Sequence, residues 1–395
     1  MRRGGRAILA GTAVLAVAAI VGTGIVAAAS THVPLRIRGA DMSFALQSEA
    51  AGDVVSDGGL VLPVEQILAD HGANYARVRV WVDPEPGTSS LAAGLTLATR
   101  ATAAGLHIVL DLHYSDSWAD RTSQQTPAAW QQLTPEQLRD TVESYTREVL
   151  VAFEEQGTPV SIVQLGNEVT NGMLWPTGWL SGSAGQDWAA FDELLRAAGR
   201  GARSRVLQHP PTVMIHLDTG GEVAEGTRFF DHLVAAGIPF DLIGVTYYPF
   251  WHGSLPQLQA MLDELADRYD RDIVIAETSY PWTLADADGA GSTDTGSADT
   301  GSENAGSENI VSSASQLPEA ALYPPTPAGQ RAYFQALRAV LRAVPGGHGA
   351  GFLDWEPAWL AGVGISRDTG NAYDNLTLFD ADGRGLPALD AFSPP

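Results

Sequence analysis

Residues 161–168 read Ser-Ile-Val-Gln-Leu-Gly-Asn-Glu, and residues 272–277 read Asp-Ile-Val-Ile-Ala-Glu. Each stretch is a short apolar run, rich in valine, isoleucine and leucine, that ends on a glutamate. Such runs are typical of strands buried on both faces, as in a parallel sheet. A polar residue that closes such a strand lies at the carboxyl edge of the sheet, where barrel enzymes build their active sites. The two stretches therefore predict both the sheet and the position of a site.

Six further runs of the same kind complete a set of eight, and most are separated by longer stretches with helical periodicity. The helix expected over 135–156 has Thr134 as its N-cap, Pro135 at the first position and Gln137 at the third. Eight strands alternating with helices predict an α/β fold, a (β/α)8 TIM barrel, as one catalytic domain over residues 35–395. The predicted strands are 35–41, 74–81, 107–113, 161–168, 212–217, 241–248, 272–277 and 349–355.

The N-terminus has the composition of an export signal. Three arginines within the first six residues precede an uncharged run over 7–30. The small residues at 26–30 suit signal-peptide cleavage, whereas the length of the run also suits a bilayer span. Residues 1–30 are therefore predicted to be a signal peptide or an N-terminal membrane anchor. The protein is expected to be secreted or anchored at the cell surface.

Composition excludes several classes of function. The formal net charge is -23, with 23 basic residues against 46 acidic ones, which disfavours binding to polyphosphate and to nucleic acid. There are no cysteines, so the chain cannot use disulfides, thiolate catalysis or cysteine-ligated metal.

Residues 285–316 interrupt the barrel pattern with an imperfect Gly, Ser, Thr, Asp and Glu repeat. A segment of this composition cannot bury a core. Because a further strand follows it, we expect a low-complexity acidic insertion in the loop after the seventh strand.

Glu168 and Glu277 end the fourth and seventh predicted strands. Glycosidic bond cleavage needs two carboxyl groups that converge from separate elements, one to supply a proton and one to stabilise or capture the anomeric carbon. A single glutamate at a strand end could equally cap the next helix or pair with a core arginine. Two such residues on different strands favour the catalytic interpretation.

Other polar and aromatic residues at the predicted strand ends are candidates for substrate binding. Arg79 would hold a carboxylate ionised, and it is preferred over Arg77 because it lies nearer the strand end. Tyr247 or Tyr248 would donate a hydrogen bond to the same carboxylate. Asn167 would bind a sugar 2-hydroxyl, and the tryptophans would offer flat faces to sugar rings. The complete set is Asp41, Arg79, His113, Asn167, Tyr247, Tyr248, Trp251, His252 and Trp355.

Seven segments carry a resemblance to a known family, in order and over nearly the whole chain beyond the leader. They include Arg-Gly-Ala-Asp-Met-Ser at 38–43, Gln-Leu-Gly-Asn-Glu-Val-Thr-Asn-Gly-Met-Leu-Trp-Pro at 164–176 and Glu-Thr-Ser-Tyr-Pro at 277–281. The remaining segments lie at 77–84, 110–120, 247–253 and 355–359. The sequence resembles glycoside hydrolase family 53, the endo-β-1,4-galactanases.

The resemblance implies a retaining endo-hydrolase of plant cell-wall β-1,4-galactan or type I arabinogalactan, with Glu168 as acid/base and Glu277 as nucleophile. No cofactor is expected for the chemistry. Bacterial members carry a structural calcium near the loop after strand seven, which would involve Asp286 and Asp288, but the inserted repeat leaves the remaining ligands unmatched. Two alternatives stay open: another retaining β-1,4-glycanase acting on mannan or glucan, and a non-catalytic surface barrel that binds carbohydrate.

Overall fold

Parallel strands alternate with helices in the computed structural model, which describes Met1 and residues 34–180, 188–285, 309–360 and 371–394. The strands close into a barrel in the order β1-β8-β7-β6-β5-β4-β3-β2, so neighbours along the chain are neighbours in space. All the pairings in the barrel are parallel. The predicted (β/α)8 barrel is confirmed. Its strands are β1 Ile37–Asp41, β2 Tyr75–Val80, β3 His107–Leu112, β4 Val160–Leu165, β5 Thr212–Leu217, β6 Leu242–Thr246, β7 Asp272–Thr278 and β8 Gly349–Trp355.

Helices cover the outer face of the barrel. The predicted capping box is present, with the Thr134 hydroxyl accepting from the Gln137 backbone and the Gln137 side chain accepting from the Thr134 backbone. None of the described helices has both the length and the apolar character that a membrane crossing requires. The α-helices are α1 Ala45–Ala51, α2 Val64–Asp70, α3 Leu91–Ala103, α4 Pro135–Glu155, α5 Trp188–Ala202, α6 Val223–Ala235, α7 Pro249–His252, α8 Leu255–Tyr269 and α9 Pro327–Ala343.

Close packing holds the helices against the strands. A Cβ atom at Gly94 on α3 would lie 2.9 Å from Val80 Cγ2 on β2, so the helix approaches the sheet more closely than a larger residue would allow. Phe153 on α4 is fully buried in the same layer. Burial of each large apolar side chain contributes about 1.5–3 kcal/mol. This layer between sheet and helices stabilises the barrel as a rigid support for a site.

The barrel interior changes from apolar to polar along its axis. Val109, Ile162 and Met214 belong to a cluster formed by side chains from the strands, which fills the lower interior. Two residues further along the same strands, and so on the same face, stand Asp111, Gln164 and His216. All three are fully buried. Side-chain alternation therefore carries a polar layer to the carboxyl end of the barrel.

Part of the acidic insertion is structured. The end of the segment predicted as unable to bury a core contains Val311, which is fully buried, and Ile310 N donates to Ala372 O at 2.8 Å. Residues 309–311, near the end of the expected insertion, therefore pack against the chain beyond β8. The core of the repeat, and the predicted leader at 1–30 beyond Met1, lie outside the described residues.

Candidate active site

Glu168 and Glu277 meet at the carboxyl end of the barrel. Gly166, just beyond β4, has a φ of +83°, and a Cβ there would lie 2.5 Å from Val169 Cγ1. Glu168 itself has a φ of 47°, so a sharp turn directs its side chain into the barrel mouth. Glu277 comes from within β7. One carboxylate oxygen of Glu168 lies within 4.8 Å of one carboxylate oxygen of Glu277.

A cation and a phenol hold Glu277. Arg77 Nη1 lies 2.8 Å from Glu277 Oε1, and the Tyr248 hydroxyl donates to Oε2 at 3.2 Å. Burial, with the charges of Glu277 and Glu168, raises the pKa of Tyr248 well above its ordinary value, so the phenol keeps its proton and remains a donor. Of the two tyrosines predicted for this role, Tyr248 is the one that contacts the carboxylate.

Arg77 is the centre of a buried network. Its guanidinium contacts Asp41 Oδ2 at 2.7 Å, Asp111 Oδ2 at 2.9 Å and Asn167 Oδ1 at 2.9 Å. Although burial opposes its charge, the surrounding carboxylates raise the pKa of Arg77 above its ordinary value. The planar fork of an arginine can bind several oxygens at fixed angles. The network therefore fixes a permanent cation beside Glu277.

Glu168 has a neutral partner instead. The Thr246 hydroxyl lies 2.6 Å from Glu168 Oε1. Burial is the largest cause that holds the pKa of Glu168 well above its ordinary value, followed by the negative charges of Asp218 and Glu277. Burial also raises the pKa of Glu277, to about 7, against the opposing effect of Arg77. Because Arg77 lies beside Glu277 and a neutral threonine lies beside Glu168, Glu277 is the carboxyl group that ionises first.

Comparison with known proteins places this geometry in a family. The model of Glycosyl hydrolase family 53 matches residues 37–392. The chain belongs to glycosyl hydrolase family 53. A protein of Niallia circulans is 38% identical over 363 residues, covering 90% of this chain and 93% of that protein. Arabinogalactan endo-beta-1,4-galactanase A of Aspergillus niger is 33% identical, covering 88% of this chain and 95% of that protein. The solved family 53 catalytic domain of Ignisphaera aggregans superposes with a TM-score of 0.79 at 30% identity, covering 92% of this chain and 97% of that one.

Within this family 53 barrel, Arg79 does not have the predicted role. Its guanidinium lies 3.4 Å from Glu356 Oε1, and its Cζ stands 4.1 Å from the centroid of the Trp118 ring. The preference for Arg79 over Arg77 is therefore wrong. Nearness to the strand end does not identify the arginine that contacts Glu277, because the long Arg77 side chain extends along the barrel interior to that carboxylate.

Four other residues predicted to bind substrate are occupied by contacts within the protein. Asp41 is fully buried and its carboxylate bonds to Arg77 and Ser43. His113 is 2% exposed, with Asp111 on Nε2 and the Trp81 indole donating to Nδ1. These contacts orient the neighbouring side chains, and direct substrate contact by Asp41 and His113 stays a prediction.

The same holds for two residues after β6. The Tyr247 hydroxyl donates to the Gly253 carbonyl at 2.8 Å, and the ring is fully buried. His252 accepts from the Tyr248 backbone on Nδ1 and contacts Asp218 on Nε2 at 2.7 Å. Both ring nitrogens have partners within the protein, and hydrogen bonding from His252 to substrate stays a prediction.

Asn167, Trp251 and Trp355 stay predictions as substrate-binding residues. Trp251 is 55% exposed on α7. Trp355 ends β8 and forms edge contacts with Trp359 and Tyr373 at 5.6 and 5.2 Å between ring centroids. Asn167 is 6% exposed and its amide nitrogen donates to Ala119 O. Exposed aromatic faces at the barrel mouth suit the apolar faces of sugar rings.

Three residues that the sequence did not single out are brought to the site by the fold. His216 on β5 and Thr246 on β6 connect Asn167 to Glu168 through hydrogen bonds, and Gln164 on β4 donates to Asn167 Oδ1. A signal was present, because each is a polar residue inside an otherwise apolar strand. Unpaired polar groups are costly in a barrel core, so such residues indicate a network.

Glu168, His216 and Glu277 also form a triad of the kind that can bind metal, with ligand-type atoms within 4.8 Å of one another. Their atoms already have hydrogen-bond partners: Thr246 for Glu168 Oε1, Asn167 and Thr246 for the His216 ring, and Arg77 and Tyr248 for Glu277. These hydrogen bonds hold the cluster together.

The expected calcium ligands Asp286 and Asp288 lie outside the described residues. Two neighbouring side chains fit an oxygen-ligated cation. Asn309 Nδ2 donates to Ala285 O, and Asn375 Nδ2 donates to Thr283 O and Val311 O. With the amide nitrogens so fixed, the two Oδ1 atoms are buried and accept no hydrogen bond in the part of the chain that the structure describes. Amide oxygens are ligands that Ca²⁺ accepts.

Proposed function

We infer that this family 53 protein hydrolyses internal β-1,4-galactosidic bonds of galactan or type I arabinogalactan with net retention. The observation that carries the mechanism is the approach of the two carboxylates, since one oxygen of Glu168 lies within 4.8 Å of one oxygen of Glu277. Retaining enzymes need about 5–5.5 Å between the two carboxyl groups, whereas inverting enzymes need about 6.5–9.5 Å to admit a water molecule.

Glu277 is proposed as the nucleophile. Burial raises its pKa to about 7 and Arg77 opposes that rise, while the Tyr248 hydroxyl donates to Oε2. In the first step its oxygen attacks the anomeric carbon as the bond to the leaving oxygen breaks. The permanent charge of Arg77 keeps the carboxylate ionised and oriented without any change in the protein.

Glu168 is proposed as the acid/base. Its raised pKa keeps a proton available for the leaving oxygen. The Thr246 hydroxyl, 2.6 Å from Oε1, orients the carboxyl group. In the second step Glu168 takes a proton from water, the water oxygen bonds to the anomeric carbon, and the bond to Glu277 breaks with its electron pair returning to Glu277.

Incubation with pectic galactan tests this function. The expected result is the early release of short oligosaccharides that keep the β configuration, measured by chromatography and by NMR of the new reducing ends. Inactivity on galactan with good activity on mannan or glucan would contradict the substrate. Inactivity on all three, with retained binding, would indicate a carbohydrate-binding barrel.

We also propose a structural calcium ion beside Asn309 and Asn375, with Asp286 and Asp288 as the carboxylate ligands expected from the family. Bound Ca²⁺ would supply charge that stabilises the loop and takes no part in the chemistry. Ca²⁺ added to chelator-treated protein should raise its melting temperature. The Asn309→Leu, Asn375→Leu double variant should lose that response, and an undiminished response would contradict these ligands.

Export by residues 1–30 is proposed on their composition alone. N-terminal sequencing of protein recovered from the medium after expression in a secreting host would test it. A new N-terminus near residue 30 supports a cleaved signal peptide, and protein retained on membranes supports the anchor.

A further inference from the structure

A chain of hydrogen bonds links Asn167 to Glu168 through His216 and Thr246. Asn167 Oδ1 lies 3.0 Å from His216 Nδ1, and His216 Nε2 lies 2.8 Å from Thr246 Oγ1. Thr246 Oγ1 then lies 2.6 Å from Glu168 Oε1. His216 is fully buried and Thr246 is 1% exposed, so water does not compete for these bonds. The catalytic roles in the reaction need neither residue directly.

The orientation of Asn167 fixes where the His216 ring carries its proton. Arg77, which can only donate, contacts Asn167 Oδ1, while Asn167 Nδ2 donates to the Ala119 carbonyl, which can only accept. The atom that faces His216 Nδ1 is therefore an oxygen. Nδ1 must carry a hydrogen to make a favourable contact at 3.0 Å.

His216 is held neutral. Burial is the largest cause that lowers its pKa well below its ordinary value, followed by the positive charge of Arg77. The other titratable groups that act on it are Asp111, which opposes this effect, and His113, which adds to it. A neutral ring with hydrogen on Nδ1 has a lone pair on Nε2. Thr246 must then donate its hydroxyl proton to His216.

We propose that His216 is a positioning residue for the acid/base: it draws the single hydroxyl proton of Thr246 away from Glu168, so that Thr246 presents a lone pair to Oε1. This deepens the proposed function, because it rests on Glu168 being the acid/base. A lone pair at 2.6 Å favours a carboxyl group that carries a proton over a carboxylate.

The arrangement serves both steps of the reaction. After Glu168 has given its proton to the leaving oxygen, Thr246 can turn its hydroxyl to the new carboxylate, and His216 Nε2 then loses its donor. While Glu168 is ionised, Thr246 can donate either to Glu168 or to His216, so one of these two acceptors lacks its hydrogen bond. The chain is complete again when Glu168 takes a proton from the attacking water, so His216 and Thr246 strengthen Glu168 as a base in the second step.

The groups that face Glu168 all affect its pKa. Asp218 beyond β5, Glu277 on β7 and Asp120 beyond β3 raise the pKa of Glu168 by their negative charges, whereas a Thr246 hydroxyl that donates to Glu168 lowers it. None of these groups differs between the wild type and a His216 variant. The effect of His216 can therefore be measured against a constant background.

The test is the pH dependence of kcat/KM on galactan for His216→Leu, a change of similar volume. With His216 gone, Thr246 is free to donate to the carboxylate, so the alkaline limb should move to lower pH by about one unit, with the acid limb unmoved. Thr246→Ser keeps the hydroxyl and should keep the limb in place. An unmoved alkaline limb in His216→Leu would overturn the proposal.

A double-variant cycle shows whether His216 acts through Thr246. The His216→Leu, Thr246→Val protein should have the same alkaline limb as Thr246→Val alone. A further shift in the double variant would overturn the proposed route. Failure of galactan hydrolysis in the wild type would instead remove the proposed function, and the two failures are distinguishable.

The wild-type protein gives a second measurement, which reads the protonation of His216 directly. ¹⁵N NMR of histidine-labelled protein should show His216 as a neutral ring with hydrogen on Nδ1. The His216 signal is the one that is missing from the spectrum of a His216 variant such as His216→Leu. A ring with hydrogen on Nε2, or a charged ring at neutral pH, would contradict the proposal.

Discussion

Glu277 and Glu168 are two buried carboxyl groups of one cleft with different surroundings. Glu277 lies 2.8 Å from a buried arginine and accepts from a tyrosine, whereas Glu168 has a neutral threonine and faces the negative charge of Asp218. Burial alone would raise both pKa values alike. The difference between their partners separates the two groups into one that ionises first and one that holds its proton, which is what a double displacement needs.

Removal of each carboxyl group gives the largest expected effects. Glu277→Ala should lower turnover of every substrate by about 10⁴-fold or more, because no covalent intermediate can form. Glu168→Ala should lower galactan turnover by about 10²–10⁴-fold. With an aryl galactoside whose leaving group needs no proton, Glu168→Ala should still give a burst of phenol in stopped-flow measurements. A burst with Glu277→Ala and none with Glu168→Ala would reverse the two roles.

The comparison predicts that Arg77 affects the pKa of Glu277 and that Arg79 does not. In Arg77→Lys the fork that stabilises the Glu277 carboxylate is lost, so the pKa of Glu277 rises and the acid limb of kcat/KM moves to higher pH by about one unit or more. Arg79→Lys is the matched control, because Arg79 contacts Glu356 and Trp118 instead. Equal displacement of the acid limb in both variants would contradict the assignment of Arg77.

Asp218 tests how the surroundings of Glu168 set its pKa. Its negative charge raises the pKa of Glu168, so Asp218→Asn should lower that pKa and move the alkaline limb to lower pH by about 0.5–1 unit. Asp231→Asn, on the outer helix α6, removes the same charge next to Arg268 and should leave the limb in place. An alkaline limb that moves equally in both variants would mean that net charge, not the local contact, sets it.

Asp354 on β8 has a buried carboxyl group. Neither of its oxygens accepts a hydrogen bond within the described ranges, and burial raises its pKa well above the ordinary value. A raised folded-state pKa means that stability is lost as pH rises from the unfolded value of about 4. Asp354→Asn should therefore stabilise the protein at neutral pH by about 1–3 kcal/mol.

Thermal unfolding measures this effect, with a rise in melting temperature of about 2–4 °C for each kcal/mol. The control is Asp140→Asn, whose side chain is 76% exposed on α4 and which should leave the melting temperature unchanged. A lower melting temperature for Asp354→Asn would mean that the carboxylate is ionised and stabilising at neutral pH, contrary to the raised pKa.

The barrel and the two carboxylates could be predicted from the sequence because each depends on local pattern. Short apolar strands fix the fold, and a strand-end glutamate reaches the barrel mouth whatever its neighbours are. The partners of those carboxylates depend on the direction of side chains inside the barrel. Arg77 begins lower than Arg79 and still reaches Glu277, and His216 and Thr246 look like ordinary strand residues until the closure of the barrel brings β5 and β6 beside β4.

The division of roles between Glu277 and Glu168 is tested most directly by trapping the covalent intermediate. A 2-deoxy-2-fluoro galactoside with a good leaving group would supply the label, and mass spectrometry would identify the modified peptide. We expect the sugar to be attached to Glu277 and to be released slowly when an acceptor is added. Attachment to Glu168, or complete hydrolysis with inversion and no labelled peptide, would contradict a double displacement through Glu277.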